Sequence, residues 1–212
     1  MKKATTIITL FLLTGLFSAS FAQKTPALKN GFSIKAQLGF PSASFGVIED
    51  IEDDYKYGVT YGLQVGHQWY FYKPESLGIG LMINWVDVSG TTKKVTNALG
   101  VLDRATLDIG VLEFGPVFTY AIDDPMAIDV YYNFRPTVMS TAYKVDDEDG
   151  EAFGGFGVTH AFGAGFRYRL LYVGVEYVTG KVKISQDSTD PKIWEDEKMA
   201  SDCFRILVGV KF

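Results

Sequence analysis

The chain ends in the stretch FRILVGVKF, Phe204–Phe212, in which every second residue counted back from the end is apolar. The residues between them are Lys211, Gly209, Leu207 and Arg205. Alternation of this kind is typical of a β-strand with one apolar face. A chain that stops on such a strand, with phenylalanine as its last residue, raises the question of what the apolar face contacts.

The same period of two recurs in seven earlier segments, each of which sets branched or aromatic residues against glycine, polar residues or isolated charges. With the terminal stretch, the eight predicted strands cover residues 31–40, 58–71, 77–85, 112–120, 127–138, 157–168, 171–180 and 204–212. The alternation changes phase near Val111, which predicts a β-bulge at that point.

The connections between these strands alternate in length. Short turns lie at 73–76, 122–126 and about 169–170, and long polar stretches lie at about 41–56, 89–105, 142–155 and 185–202. Antiparallel strands with short turns at one end and long loops at the other are typical of an outer-membrane β-barrel. In lipid such a sheet must close, because an open edge would leave backbone groups unpaired in hydrocarbon. The predicted fold is therefore an all-β, eight-stranded, antiparallel up-and-down transmembrane barrel whose apolar face contacts lipid.

A soluble barrel is the structural alternative, and it would place its large apolar residues inside. Two levels of aromatic residues favour the membrane barrel, because aromatic girdles flank the apolar band of such proteins. The level near the short turns consists of Trp69, Phe71, Tyr120, Tyr132, Tyr168 and Phe212. The level near the long loops consists of Tyr61, Trp85, Tyr177 and Phe204.

The N-terminus has the three parts of a secretory signal peptide. These are the basic start MKK, the apolar run TIITLFLLTGLFSAS, and the small residues Ser20 and Ala22 before a cut at Gln23. The predicted organisation is a signal peptide at 1–22, a short periplasmic segment at 23–30 and a barrel at 31–212.

The terminal strand, the strand number and the uneven connections together carry a family resemblance. From about Gly31 to Phe212 the chain resembles the small OmpA/OmpX-like barrels of the outer membrane protein beta-barrel domain family. The resemblance implies a location in the outer membrane of a Gram-negative cell, with both termini in the periplasm. It also implies that the barrel-assembly machinery reads the last strand, through Phe204, Ile206, Val208, Val210 and Phe212. The tasks of such proteins vary, so no specific role follows from the fold.

Charged residues with inward parity predict a network that fills the barrel. They are Lys35, Glu113, Asp129, Arg135, Arg167, Glu176 and Arg205. Opposite charges on adjacent strands can pair across the ladder, and eight strands leave an interior just wide enough to be filled by side chains. A salt-bridged interior favours a barrel that does not conduct, and a small-solute or ion pore is the alternative.

The residues available for catalysis argue against an enzyme. Attack by a hydroxyl group needs a base, and the two histidines, His67 and His160, both have outward parity. Neither is followed two residues later by the serine that a lipid A deacylase-like arrangement would need. The single cysteine, Cys203, has inward parity and is expected to fill space. We expect no catalytic residues and no required cofactor, with a lipid A-modifying enzyme as a further alternative.

Three of the long stretches are acidic: EDIEDD at 49–54, DDEDGE at 146–151 and WEDE at 194–197. Carboxylate oxygens are the ligands that Ca²⁺ and Mg²⁺ prefer. The candidate ligands for weak metal binding, which lack the full EF-hand spacing, are Asp146, Asp147, Glu148 and Asp149. A solvated acidic rim is the alternative. The sequence thus predicts a non-enzymatic surface barrel whose loops meet ions, lipopolysaccharide or an unknown partner, and its acidic surface disfavours nucleic acid.

Overall fold

The computed structural model describes residues 27–42, 58–97, 100–145, 151–185 and 198–212. Its strands are β1 (Gly31–Pro41), β2 (Thr60–Tyr72), β3 (Leu77–Asn97), β4 (Gly100–Asp123), β5 (Met126–Val145), β6 (Glu151–Tyr168), β7 (Leu171–Ser185), β8 (Lys198–Ala200) and β9 (Cys203–Lys211). No helix in this part of the chain is long and apolar enough to cross a membrane.

The strands form one closed antiparallel sheet. Each strand from β1 to β7 pairs with the next in the chain, and β9 closes the barrel by pairing with both β7 and β1. The short β8 also pairs with β7, and only Ser201 and Asp202 separate it from β9. The two pieces together form the last of eight barrel strands, which confirms the predicted architecture.

The distribution of side chains is the reverse of that in a soluble barrel. Among the described residues, buried polar and charged side chains outnumber buried apolar ones. The exposed set includes large apolar residues from every long strand, such as Phe40, Leu63, Phe118, Val130 and Phe162. An apolar exterior of this extent is stable in lipid and would be costly in water. The fold is therefore that of a transmembrane barrel.

Two neighbouring bulges determine which residues of β3 and β4 face outward and which face the interior. In β4, Val111 and Leu112 both face outward, and one extra residue separates Gly110 from Phe114 relative to β5. This is the bulge predicted near Val111. In β3, Trp85 and Val86 are likewise both exposed, and the register with β2 shifts at the same level. The sequence analysis missed this second bulge.

Three of the predicted long loops are partly wrong, and the one at 185–202 contains the short strand β8. The stretch predicted as a loop at 89–105 is mostly a strand hairpin, because β3 continues to Asn97 and β4 begins at Gly100. The stretch at 142–155 likewise lies partly in β5 and β6, which reach Val145 and begin again at Glu151. The polar composition that predicted loops instead belongs to strands that extend beyond the apolar band. Residues 43–57 and 186–197 lie outside the described residues.

Small residues make room for large ones in the barrel interior. Tyr131 and Tyr172 project inward and are buried. A Cβ atom added at Gly163 would collide with the Tyr131 ring, and one added at Gly165 would collide with the Tyr172 ring. Glycine on β6 therefore lets two aromatic rings fill the interior.

Candidate functional site

The barrel interior contains a cluster of buried ion pairs around Arg135 on β5. Its Nε lies 2.5 Å from Glu113 Oε1 and 3.3 Å from Asp87 Oδ2, and its Nη2 lies 2.5 Å from Asp108 Oδ1. Arg135, Glu113 and Asp87 are fully buried, and the Asp108 side chain is 14% exposed. The guanidinium thus joins carboxylates from β3 and β4 to β5.

A second arginine extends this cluster across the interior. Arg205 on β9 donates from Nη1 to Asp87 Oδ2 at 2.6 Å and to Glu176 Oε1 at 3.3 Å. Tyr131 Oη donates to the other oxygen of Glu176 at 2.9 Å. Strands β3 and β9 are not neighbours in the sheet, so the contact between Asp87 and Arg205 spans the barrel interior. Side chains that bridge the interior in this way obstruct any path along the barrel axis.

A separate ion pair lies nearer the short-turn end. Arg167 on β6 donates to both oxygens of Asp129, from Nε at 2.6 Å and from Nη2 at 3.1 Å. The same carboxylate accepts a hydrogen bond from Thr119 Oγ1 at 2.5 Å. Arg167 Nη2 also donates to Tyr70 Oη on β2 at 3.0 Å, a second contact that spans the interior.

The two lysines of the interior contact neutral groups. Lys35 donates to Gln64 Oε1 at 2.8 Å, and its Nζ lies 4.8 Å from the centre of the Tyr172 ring. Lys211 donates to Gln68 Oε1 at 2.9 Å. Cations over aromatic faces are stabilised by the ring quadrupole. Both lysines fill space in the interior, and neither has a direct carboxylate partner among the described residues.

Residues just before β1 cover the short-turn end of the interior. The carbonyl oxygen of Ala27 accepts a hydrogen bond from Arg167 Nη2 at 2.9 Å. The backbone N–H of Ala27 donates to Asp124 Oδ1, also at 2.9 Å. Asn30 Oδ1 accepts from the backbone N–H of Tyr70 at 2.8 Å. The segment at 27–30 is therefore bound to β2, to β6 and to the turn between β4 and β5.

Near the opposite end, a cavity of about 30 Å³ lies above Arg205. Hydroxyl and carboxylate side chains line it, among them Ser89, Thr91 and Asp108. The volume of one water molecule in the liquid is about 30 Å³. The space beside Arg205 is thus of the size of a few water molecules, whereas a neighbouring pocket lined by Tyr61, Thr92 and Ser140 among others has a volume of about 480 Å³.

All seven inward charges predicted from the sequence are buried in the interior. Four further charged residues of the described interior were not predicted from the sequence: Asp87, Arg104, Asp108 and Lys211. Asp87 and Asp108 lay between the predicted strands, which stopped at Trp85 and began again at Leu112, and the loop predicted at 89–105, so neither was given an inward face. Lys211 has the parity of Arg205 and was available from the terminal alternation.

The histidines contact aromatic residues of the exterior. The His67 ring stacks on Trp69, with ring centres 4.1 Å apart. His160 Nδ1 is hydrogen-bonded to Tyr132 Oη at 2.8 Å. Among the described residues, neither histidine is hydrogen-bonded to a serine or threonine hydroxyl. Cys203 is a buried free thiol that faces the interior.

The proposed metal ligands Asp146, Asp147, Glu148 and Asp149 lie outside the described residues. Within the described ranges, no group of three or more His, Cys, Asp or Glu side chains is arranged to hold a metal ion.

The terminal strand presents its apolar residues outward. Phe204, Ile206, Val208 and Phe212 are exposed, and the alternating residues Arg205 and Leu207 are buried. The backbone N–H of Phe212 donates to the Phe32 carbonyl oxygen at 2.8 Å, so the last residue is held against β1.

No protein-family model matches the chain, and no curated protein matches it. Among solved structures, the chain is similar to Ail, the attachment invasion locus protein of Yersinia pestis, with 12% identity and a TM-score of 0.50 over 86% of this chain and 97% of Ail. It is also similar to Neisserial surface protein A, with 12% identity and a TM-score of 0.47 over 85% of this chain and 95% of that one. The similarity to Ail concerns the fold alone, which is that of an eight-stranded antiparallel outer-membrane β-barrel.

Proposed function

We propose that the protein is an integral outer-membrane β-barrel without enzymatic activity, whose long loops interact with the cell exterior. The observation that carries this proposal is the combination of a lipid-compatible exterior with a closed, ion-paired interior. The interior contacts of Asp87 with Arg205 and of Arg167 with Tyr70 each join strands that are not neighbours. A barrel filled in this way anchors surface loops and does not transport solutes.

In the proposed orientation both termini lie in the periplasm, and the acidic stretches at 49–54, 146–151 and 194–197 face outward. Their partners are ions, lipopolysaccharide or a surface component that the sequence does not name. The barrel-assembly machinery is the proposed partner during insertion.

Two measurements test the barrel and the pore alternative. Folded protein from the outer-membrane fraction should migrate differently on a gel before and after boiling, and it should show a β-type circular dichroism spectrum. In planar bilayers it should show no steady conductance above that of the lipid alone. A steady conductance that changes with Glu113→Gln or Arg167→Gln would replace the proposal with a pore. A change in lipid A on overproduction would replace it with a lipid-modifying enzyme.

The acidic loops should bind divalent cations weakly. Crowded carboxylates repel one another, and Ca²⁺ or Mg²⁺ relieves that repulsion. We expect a dissociation constant of about 10⁻⁴ to 10⁻³ M, the range of extracellular calcium modules. Calorimetry should show this binding for the native protein and a weaker response when Asp146, Asp147, Glu148 and Asp149 are changed to Asn or Gln. Equal heats from both proteins would mean that these four residues only solvate the surface.

A further inference from the structure

The exterior of β7 changes from apolar to basic along its length. Near the short-turn end its outward residues are Val173, Val175 and Tyr177, all of them exposed. Beyond Thr179 the outward residues are Lys181 and Lys183, which are also exposed. The residue between the two lysines, Val182, is fully buried. Because side chains alternate across a strand, both lysines lie on the lipid side of the barrel wall.

The depth of these lysines follows from strand geometry. A strand that rises about 3.3 Å per residue and is tilted by about 40° climbs about 2.5 Å per residue along the barrel axis. The apolar band of such barrels is about 25 Å tall, or roughly ten residues. Counted from Leu171, where β7 begins at the short-turn end, the band ends near Lys181. Lys181 and Lys183 are therefore at the level of the lipid headgroups.

The residues around the two lysines leave the positive charge available. The register places Lys183 between Phe156 on β6 and Lys198 on β8, and it places Lys181 between Val158 and Ala200. Among the described residues, neither ammonium group takes part in an ion pair or a hydrogen bond. The carboxylate of Asp202 instead accepts a hydrogen bond from Thr179 Oγ1 at 2.6 Å.

We propose that Lys181 and Lys183 bind a phosphate group of a phosphorylated lipid in the adjoining leaflet. Lysine is a compact positive charge suited to phosphate, and a long side chain at this depth can reach up to the headgroup. Phe156, which is 61% exposed, lies beside Lys183 and packs on the upper part of an acyl chain. This inference rests on the proposed outer-membrane location and deepens it, because it names the lipid chemistry and the place on the barrel.

The test uses the full folded chain in vesicles of neutral phosphatidylcholine. Energy transfer from the protein's tryptophans to a fluorescent lipid A would report binding of the lipid. The Lys181→Gln/Lys183→Gln double variant should bind bisphosphorylated lipid A about 25-fold more weakly than the native protein, because each lysine near the surface contributes about fivefold. Lipid A stripped of its phosphates should bind the native protein as weakly as the bisphosphorylated form binds the double variant.

A matched control removes two lysines from the opposite end of the barrel. Lys29 and Lys73 are exposed near the short turns, and a Lys29→Gln/Lys73→Gln variant should bind like the native protein. If the double variant of β7 fails to fold, as judged by the gel shift on boiling, Lys183→Gln alone should still weaken binding about fivefold.

Equal binding by the native protein and the β7 variant would overturn the site, as would equal binding of phosphorylated and dephosphorylated lipid. Inorganic phosphate that displaced the lipid at equal concentration would identify a free-anion site instead. These outcomes are independent of cell fractionation, which tests the outer-membrane location separately.

Discussion

Asp87 is the residue on which the interior network depends most. Its Oδ2 lies 2.6 Å from Arg205 Nη1 and 3.3 Å from Arg135 Nε, and its Oδ1 accepts a hydrogen bond from Gln37. Each arginine has another carboxylate partner, Glu176 for Arg205 and Glu113 for Arg135. Among the described residues, only Asp87 contacts both arginines, so it joins the two halves of the cluster.

Replacing Asp87 by Asn should destabilise the folded barrel by about 3 kcal/mol. Removing one member of a buried ion pair costs about 3–5 kcal/mol, and the remaining carboxylates place this change at the lower end. The measurement is urea unfolding of the protein in lipid vesicles, followed by tryptophan fluorescence. Asp123→Asn, at an exposed turn position, is the control and should change stability by less than about 0.5 kcal/mol. An effect of Asp87→Asn as small as that of the control would contradict the assigned role.

The inward charges predicted from the sequence lie within regular alternation, whereas Asp87 and Asp108, which were missed, lie across an irregularity from the predicted strands. Lys211 was missed although the terminal alternation includes it. Glu113, Arg135 and Arg205 lie in segments where inward and outward residues alternate without interruption as far as the nearest turn. Asp87 lies just beyond the outward pair Trp85 and Val86, which shifts the phase of β3 by one residue. A one-residue shift exchanges the two faces of a strand. Nothing in the local composition marks this shift as clearly as the paired Val111 and Leu112 do in β4.

At the scale of elements, the two bulges lie side by side and act together. The register pairs Asn84 with Glu113 and Val86 with Val111, so the outward pairs of β3 and β4 are opposite each other. Both strands therefore change phase at the same level and remain in register with one another. This arrangement lets Asp87 and Glu113 face the interior from neighbouring strands.

The β4 bulge requires an unusual backbone conformation at Leu112, whose φ angle is +53°. A β-branched residue tolerates this region less well than leucine does. Leu112→Val should therefore cost about 1 kcal/mol more than Leu107→Val, which makes the same change at another lipid-facing position of β4. Urea unfolding in vesicles would measure both variants. Equal losses would show that the bulge does not constrain the residue at 112.

The strand ends were harder to predict than the strand cores. The sequence located the middle of every long strand, because the apolar band imposes alternation there. Beyond the band both faces of a strand meet water or polar groups, and the alternation fades. The sequence of the β3–β4 hairpin therefore predicted a polar loop at 89–105, although the two strands pair with each other as far as Asn97 and Gly100.

Phe212 is expected to matter for insertion more than for stability. It is 46% exposed on the last strand, where the proposed assembly signal ends. Phe212→Asp should lower the amount of protein in the outer membrane and raise periplasmic aggregation or degradation. Phe71→Asp changes an exposed aromatic residue of β2, near the same end of the barrel, and should have the smaller effect. Equal amounts of both variants in the membrane fraction would count against a special role for the last residue.

At the scale of the whole molecule, the barrel has two surfaces of opposite character joined by one sheet. Lipid stabilises the exterior. Ion pairs and cross-interior hydrogen bonds connect polar side chains within, while a few buried polar atoms, such as Gln64 Nε2 and Asn133 Oδ1, have no hydrogen-bond partner among the described residues. The alternation in the sequence predicted this division. A period of two assigns the residues of a strand to an inward and an outward face, whatever either face contacts. It carries no comparable information about the loops, whose function depends on what they bind.

The pairing of β1 with β9, the strands nearest the two chain ends, has a consequence for circular permutation of the barrel. Since Phe212 lies against Phe32, a short linker could join the two ends into a ring, and the ring could be reopened close to another short turn. A permuted chain reopened after Phe71, behind a new signal peptide, would end on HQWYF with an aromatic last residue. One reopened after Asp123 would end on TYAID. We expect both permutants to fold in detergent and only the first to insert efficiently in cells, which would separate the instruction to insert from the ability to fold.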